Sequence, residues 1–237
     1  MSLPDHRPRV AAERRERMRL RLFASTLILV AEKGAAETSI DDVISHAKVA
    51  RGTFYKYFAS PDALVHDLAL ELANELIRMA EPVVQKLSDP AERVSAGIRV
   101  VARLAVIHPP VAGFLVRLGW PETRGPDLLL QYLQRDLAEG IRAGRFQDMP
   151  MGLALNIVAG LVLGAAHCML QPECPADFPE LSAAAALRAL GMDARTAQRI
   201  SSQPLAPVDP LPDGLLVATL GLQLGAPGDA SPDPGGS

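Results

Sequence analysis

AETSIDDVISHAKVARGTFYKYFASPDAL, residues 36–64, is the stretch on which the reading of the whole chain turns. Ile40, Val43, Ile44 and Ala47 stand at i, i+3, i+4 and i+7, the spacing that lines one face of an α-helix. Thr38 or Ser39 supplies a hydroxyl to cap that helix, and Asp41 or Asp42 completes a capping-box-like start. A short turn at Lys48 and Val49 leads into a second, brief helix beginning at Arg51. On it Phe54 and Phe58 share the inward row, and their burial anchors so short an element by about 2 kcal/mol each. Ser60 caps the next helix, with Pro61 in its first turn. Leu64, Leu68, Leu72 and Leu76 form its inner row as far as Pro82, where a kink or an end is expected.

Residues 49–58 hold four of the ten aromatic residues of a chain that is only 4% aromatic. With Phe54 and Phe58 turned inward, Arg51, Gly52, Thr53, Tyr55, Lys56 and Tyr57 face outward. The cations and tyrosine hydroxyls suit phosphate oxygens, the threonine suits a base edge or a thymine methyl, and the glycine lets backbone come close. Two helices joined by a tight turn and presenting such a face constitute a DNA-reading helix-turn-helix. A solvated helix of a bundle would have no use for Tyr55 and Tyr57 outward.

Residues 36–64 resemble the N-terminal helix-turn-helix of the TetR family of transcriptional regulators. The resemblance is carried by Thr38 and Ser39 before the helix, Ala47 and Val49 around the turn, Arg51 to Tyr55 with Phe58, and Ser60 to Leu64. It implies DNA contacts by Arg51, Gly52, Thr53, Tyr55, Lys56 and Tyr57, with Thr38 and Ser39 meeting phosphate and Arg7 to Arg21 supplying an arm. It also implies a homodimer built on the eighth and ninth helices, a palindromic operator in double-stranded DNA, and an effector cavity among helices four to eight. Three positions depart from the family pattern. Lys48 replaces the usual turn glycine, Tyr57 stands where histidine is frequent, and Pro61 where lysine is frequent. A left-handed Lys48 costs about 1 kcal/mol and can offset part of that by touching phosphate.

Charge distribution agrees with this reading. Residues 1–58 carry eleven Lys or Arg against seven acids, whereas the remainder carries 13 against 20, so a basic head sits on an acidic body. Cys168 and Cys174 are too few for a disulfide framework or a dedicated zinc site, which points to a reducing, cytoplasmic compartment and to structural thiols. Two stretches imitate membrane signals. LFASTLILVA, 22–31, follows about twenty residues that include Asp5, Glu13 and Glu16, unlike a signal peptide. MGLALNIVAGLVLGAAHCML, 151–170, is nearly long enough to span a bilayer, but it contains Asn156 and His167 and lacks basic flanks. It reads as a buried or interface helix, with no membrane partner.

The fold class expected is all-α, since helical spacing recurs throughout and no convincing alternating run appears. A first helix is expected over 13–33 with Gly34 as its stop. Residues 1–60 form the reading head, with 1–12 as a flexible arm; 61–203 form the effector-binding and dimerisation body; 204–237 form a Pro/Gly-rich tail. GDASPDPGGS, 228–237, reads as disordered, while LLVATLGLQL, 215–224, is too apolar for a free tail and is open to docking on the core. In the body, Asn156, Gly160, Gly164 and His167 fall on one arc of a helix, a stripe of small residues that admits a close partner. Those glycines serve either a second subunit or an intrachain neighbour. Candidates for the effector cavity are Phe114, Trp120, Tyr132 and His167, with His108 and Arg117 as polar contacts. The scarcity of aromatics favours an aliphatic lining and an apolar or amphipathic effector. No catalytic constellation, phosphate-binding loop, cofactor motif or metal-ligand set is visible, which argues against an enzyme. The reading is a transcriptional repressor released by a small molecule. The alternative is a small-molecule carrier whose head no longer reads DNA, favoured only by Lys48.

Overall fold

The structure is a computed structural model and describes residues 7–118 and 128–225. Among these residues there are eleven helices and no strand. The head comprises α1 (Arg7–Lys33), α2 (Ile40–Ala47) and α3 (Arg51–Tyr57). A long helix, α4 (Pro61–Val84), leads from it into the body.

Helix α1 begins six residues earlier than the expected Glu13. Its first turns are exposed and are supported along the surface, where Arg9 Nε donates to Glu13 at 2.8 Å and Arg19 Nε to Glu16 at 3.3 Å. Residues 7–12 are therefore helical, in place of the flexible arm expected there. Gly34, at φ 92°, ends the helix. Helix α4 likewise runs through Pro82 and ends only after Val84. So near a C-terminus the proline forfeits a single hydrogen bond in the last turns, and the helix tolerates it.

The body contains α5 (Pro90–Ile107), α6 (Pro109–Leu118), α7 (Leu128–Arg142), α8 (Met151–Met169), α9 (Phe178–Ala189) and α10 (Ala194–Ser201). Asp89 caps α5 and Asp193 caps α10, each accepting from a first-turn N–H. At His108 the chain turns by 115° between α5 and α6. Helix α6 then packs on α1 so closely that a Cβ added at Gly113 would lie 2.7 Å from that of Ala31. The second core joins Ala91, Val94, Ile98, Leu137, Val158, Leu187 and Ile200 from α5, α7, α8, α9 and α10.

The first core joins Phe23 and Leu27 of α1, Val43 and Ala47 of α2, Phe54 of α3 with Phe58, and the leucine row of α4 to Val100 and Leu104 of α5 and Val111 and Phe114 of α6, so it runs from the head into the body. It also takes in Leu215 and Leu216 of a last helix, α11 (Leu215–Gln223). The apolar stretch left open as a docking segment is thus part of that core. The expectation for 228–237 lies outside the described residues.

Helix α8 is long and apolar enough to cross a membrane by length and composition, yet only 22% of its most apolar stretch is buried within the chain. Gly152, Leu153, Asn156, Gly160, Gly164 and His167 are all exposed. Its end is joined to the following loop by a Cys168–Cys174 disulfide, with Cα atoms 5.5 Å apart. This replaces the expected free thiols. The turn after α8 folds back far enough to bring Cys174 within bridging distance of Cys168, six positions earlier in the chain.

Candidate functional site

The reading unit is assembled by local chemistry. Ser39 caps α2, its hydroxyl accepting the Asp42 N–H at 3.2 Å while the Asp42 carboxylate accepts the Ser39 N–H at 2.9 Å. Lys33, at the end of α1, places its ammonium 2.7 Å from the same carboxylate and fixes the angle between the two helices. The Lys33 ammonium, then the Ser39 hydroxyl and N–H, hold the Asp42 carboxyl well below the usual range. Thr38 does not cap; its hydroxyl donates to the Gly34 carbonyl at 2.7 Å. At the turn Lys48 adopts φ 53° and ψ 51°, the left-handed conformation that the spacing requires. Lys48 is the only non-glycine with positive φ among the described residues.

Helix α3 is held from behind. Phe54 and Phe58 are buried, and the Phe58 ring lies 5.3 Å from that of Phe23 on α1, in the range of favourable aromatic pairing. Arg51, Gly52, Tyr55 and Lys56 project into solvent, with Tyr55 51% exposed. A Cβ at Gly52 would meet nothing within 4 Å, so the glycine keeps a flat approach to the helix. Thr53 is half-buried. Tyr57 is half-buried too and packs on the head core rather than pointing outward, its ring 6.4 Å from that of Phe58. Half-buried beside Phe58, the Tyr57 ring lies at the rim of the face.

Arg51 donates through Nη2 to Asp41 at 2.5 Å, which raises the guanidinium pKa by hydrogen bonding and charge. The acids in the first turn of α2 are thus each matched by a cation, Asp41 by Arg51 and Asp42 by Lys33. That balance removes the repulsion two carboxylates would offer a phosphate, and with the Asp42 N–H taken by Ser39 it leaves the Ile40 and Asp41 N–H groups to face one.

Between α4 and α7 lies an open groove of about 790 Å³. Its walls are Glu71, Asn74, Arg78, Glu81 and Gln85, which recur on one face of α4, and Tyr132 of α7. Ile77 and Pro82 provide the apolar part. Of the aromatic candidates among the described residues only Tyr132 lines it; the Arg135 guanidinium covers that ring at 4.9 Å. Phe114 is fully buried in the head-side core, because the close α1–α6 packing encloses it. His167 is exposed on α8, and Trp120 lies outside the described residues. Arg117 donates to the Glu32 carbonyl at 3.0 Å. His108 is buried with Nε2 unpartnered, and burial lowers its pKa. The lining is therefore mixed, polar head groups and their apolar stems beside Ile77, Pro82 and the Tyr132 ring. The signal was the polar row opposite the leucines of α4, which on sequence alone reads as a solvated face.

Glu71 links this wall to the head. Its carboxylate accepts from Arg19 of α1 and, at 3.2 Å, from Arg78. No group of three or more His, Cys, Asp or Glu able to hold a metal occurs among the described residues.

The chain is similar to known regulators in both of its parts. The tetR family of bacterial regulatory proteins matches residues 22–68, and the tetracyclin repressor-like C-terminal domain matches 89–203. An HTH-type transcriptional regulator of Bacillus subtilis, YvdT, which has not been characterised, is 36% identical over 57 residues, 24% of this chain and 29% of its own length. The HTH-type regulator EthR of Mycolicibacterium smegmatis is 31% identical over 96 residues, 38% of this chain and 42% of its own. The chain thus spans less than half of either relative. Among solved structures RolR, in complex with resorcinol, superposes with a TM-score of 0.62 at 29% identity, over 84% of this chain and 100% of RolR. With head and body both matched, and with the recognition helix, turn and capping box in place, the chain belongs to the TetR family.

Proposed function

We propose that the protein is a DNA-binding transcriptional repressor that acts as a homodimer and is released by a small amphipathic effector. The observation that carries this is the α2–Lys48–α3 unit. It exposes Arg51, Gly52, Tyr55 and Lys56 on a helix whose other side is locked by Phe54 and Phe58. Such a helix enters a major groove without unravelling, and two of them in a dimer read half-sites about one helical turn, ~34 Å, apart or a small multiple of it. The carrier alternative loses its one support, since Lys48 holds the left-handed turn that a glycine would hold.

Dimerisation through α8 and α9 is supported by the exposed stripe of Asn156, Gly160, Gly164 and His167 on an apolar, largely uncovered helix. For the effector, the groove offers the Asn74 amide, the Glu81 carboxylate and the Tyr132 ring beside Ile77 and Pro82. That set suits a hydroxylated aromatic ring, the class of molecule that RolR is solved with.

Selection of bound fragments from random duplex DNA tests the reading. The wild-type chain enriches a palindrome, and the Arg51→Ala plus Tyr55→Ala double variant loses it while remaining folded. A folded dimer that enriches no sequence, and whose DNA binding lacks a steep salt dependence, overturns it.

A further inference from the structure

Both family matches stop short of α11: the body match ends at residue 203 and α11 begins at Leu215. The connecting strap, 202–214, carries Pro204, Pro207, Pro210 and Pro212, and its Leu205, Val208 and Leu211 pack along the head core. Helix α11 then delivers Leu215 and Leu216, both fully buried, into the same core as Phe23, Phe54 and Phe58.

A carboxylate receives it there. Glu75 of α4 is 0% exposed. Its two oxygens accept the N–H groups of Leu215, at 2.5 Å, and Leu216, at 3.1 Å, the first donors of α11. These N–H groups have no partner within their own helix, and the helix N-terminus favours a negative charge. The fit is close, because a Cβ at Gly214 would collide with the Glu75 carboxylate. One turn earlier on α4, Glu71 holds Arg19 of α1. Two carboxylates four residues apart therefore grip the head, one through α1 directly and one through a helix packed against α1.

We propose that Glu75 is a positioning residue for DNA reading: by holding the start of α11 it makes α11 a fourth helix of the reading head and sets α1 against α4. The proposal rests on the DNA-reading function above. An apolar packing role alone would need leucines from α11 but no buried acid. A carboxylate adds direction, because two hydrogen bonds fix where the helix starts and so which residues reach α1.

The test compares the full chain with Glu75→Gln and Gly214→Ala. The amide that Glu75→Gln introduces would set an NH2 against an N–H of α11, and the alanine methyl would push the same contact apart from the other side. Hydrogen exchange is followed at α11, at residues 22–30 of α1 and at α9 and α10, which belong to the second core. Affinity is measured, across salt concentrations, for the duplex that the wild type enriches from random DNA. In both variants α11 and α1 amides exchange faster by about tenfold, as for loss of one buried charged hydrogen bond. The α9 and α10 amides are unchanged, and DNA affinity falls while the salt slope stays as in the wild type, since no phosphate contact is lost. Unchanged exchange at α11 overturns the proposal, and so does a loosened α11 with α1 protection and DNA affinity intact. If Glu75→Gln does not fold, Gly214→Ala decides. If the wild type enriches no DNA, the regulator reading fails, while exchange at α11 and α1 still decides whether Glu75 sets that packing.

Discussion

Lys48→Gly separates two roles that one residue plays in opposite directions. Lys48 sits at φ 53°, ψ 51° between α2 and α3, where a side chain with a Cβ is strained by about 1–2 kcal/mol. Glycine relieves that strain but gives the unfolded chain more freedom, which takes back about 0.5–1 kcal/mol. The turn itself stays, because the hydrogen bonds that close it, Lys48 N–H to Ser45 at 3.1 Å and Val49 N–H to Ile44 at 2.9 Å, are backbone to backbone. The net expectation is a gain of about 0.5–1 kcal/mol, read as a higher urea midpoint at unchanged slope. On DNA the sign reverses. The exposed ammonium lies beside the reading helix, and removing one phosphate contact from each subunit of the dimer makes the log–log salt dependence shallower by about 1.8, about 0.9 per contact. A variant less stable than wild type would refute the strain argument. An unchanged salt slope would show that Lys48 meets no phosphate, and the lysine would then be a strained residue with no compensating contact.

Gly164→Leu reports on the dimer alone, because a Cβ there meets nothing within 4 Å of the single chain; the mass in solution should fall from dimer to monomer, and an unchanged stable dimer would place the interface elsewhere. Resorcinol should protect the wild type against thermal unfolding, and Tyr132→Ala or Asn74→Ala should abolish the protection while leaving the DNA-binding salt slope intact. His108 carries a pH dependence. Burial depresses its folded-state pKa, so the stabilisation is complete above the unfolded value of about 6.5 and is lost as pH falls through the folded value. The urea midpoint of His108→Leu should therefore drop less than that of wild type on acidification, and equal drops would mean the imidazole is not buried as a neutral ring.

The reading head was legible because its determinants are local. A capping box spans four residues, a left-handed turn one, and the Phe54–Phe58 row a single helical turn, so spacing alone places them. Side-chain destinations were less legible wherever a helix has two buried faces or a rim. Tyr57 occupies a position that reads as outward, yet its ring packs on the core beside Phe58. Phe114 has the composition of a pocket residue, and the Gly113–Ala31 approach seals it in.

Fold class, the basic head, the helix-turn-helix and its exposed cations are properties of the sequence by itself, since each depends on neighbours within a few residues. The groove wall, the Cys168–Cys174 bridge and the place of α11 were decided by the tertiary structure. Glu75 and Leu215 are 140 residues apart, and nothing in the period of either helix says that the acid on one will meet the first N–H groups of the other. Periodicity tells a helix which face to bury, whereas the partner for that face is chosen by packing across the whole chain.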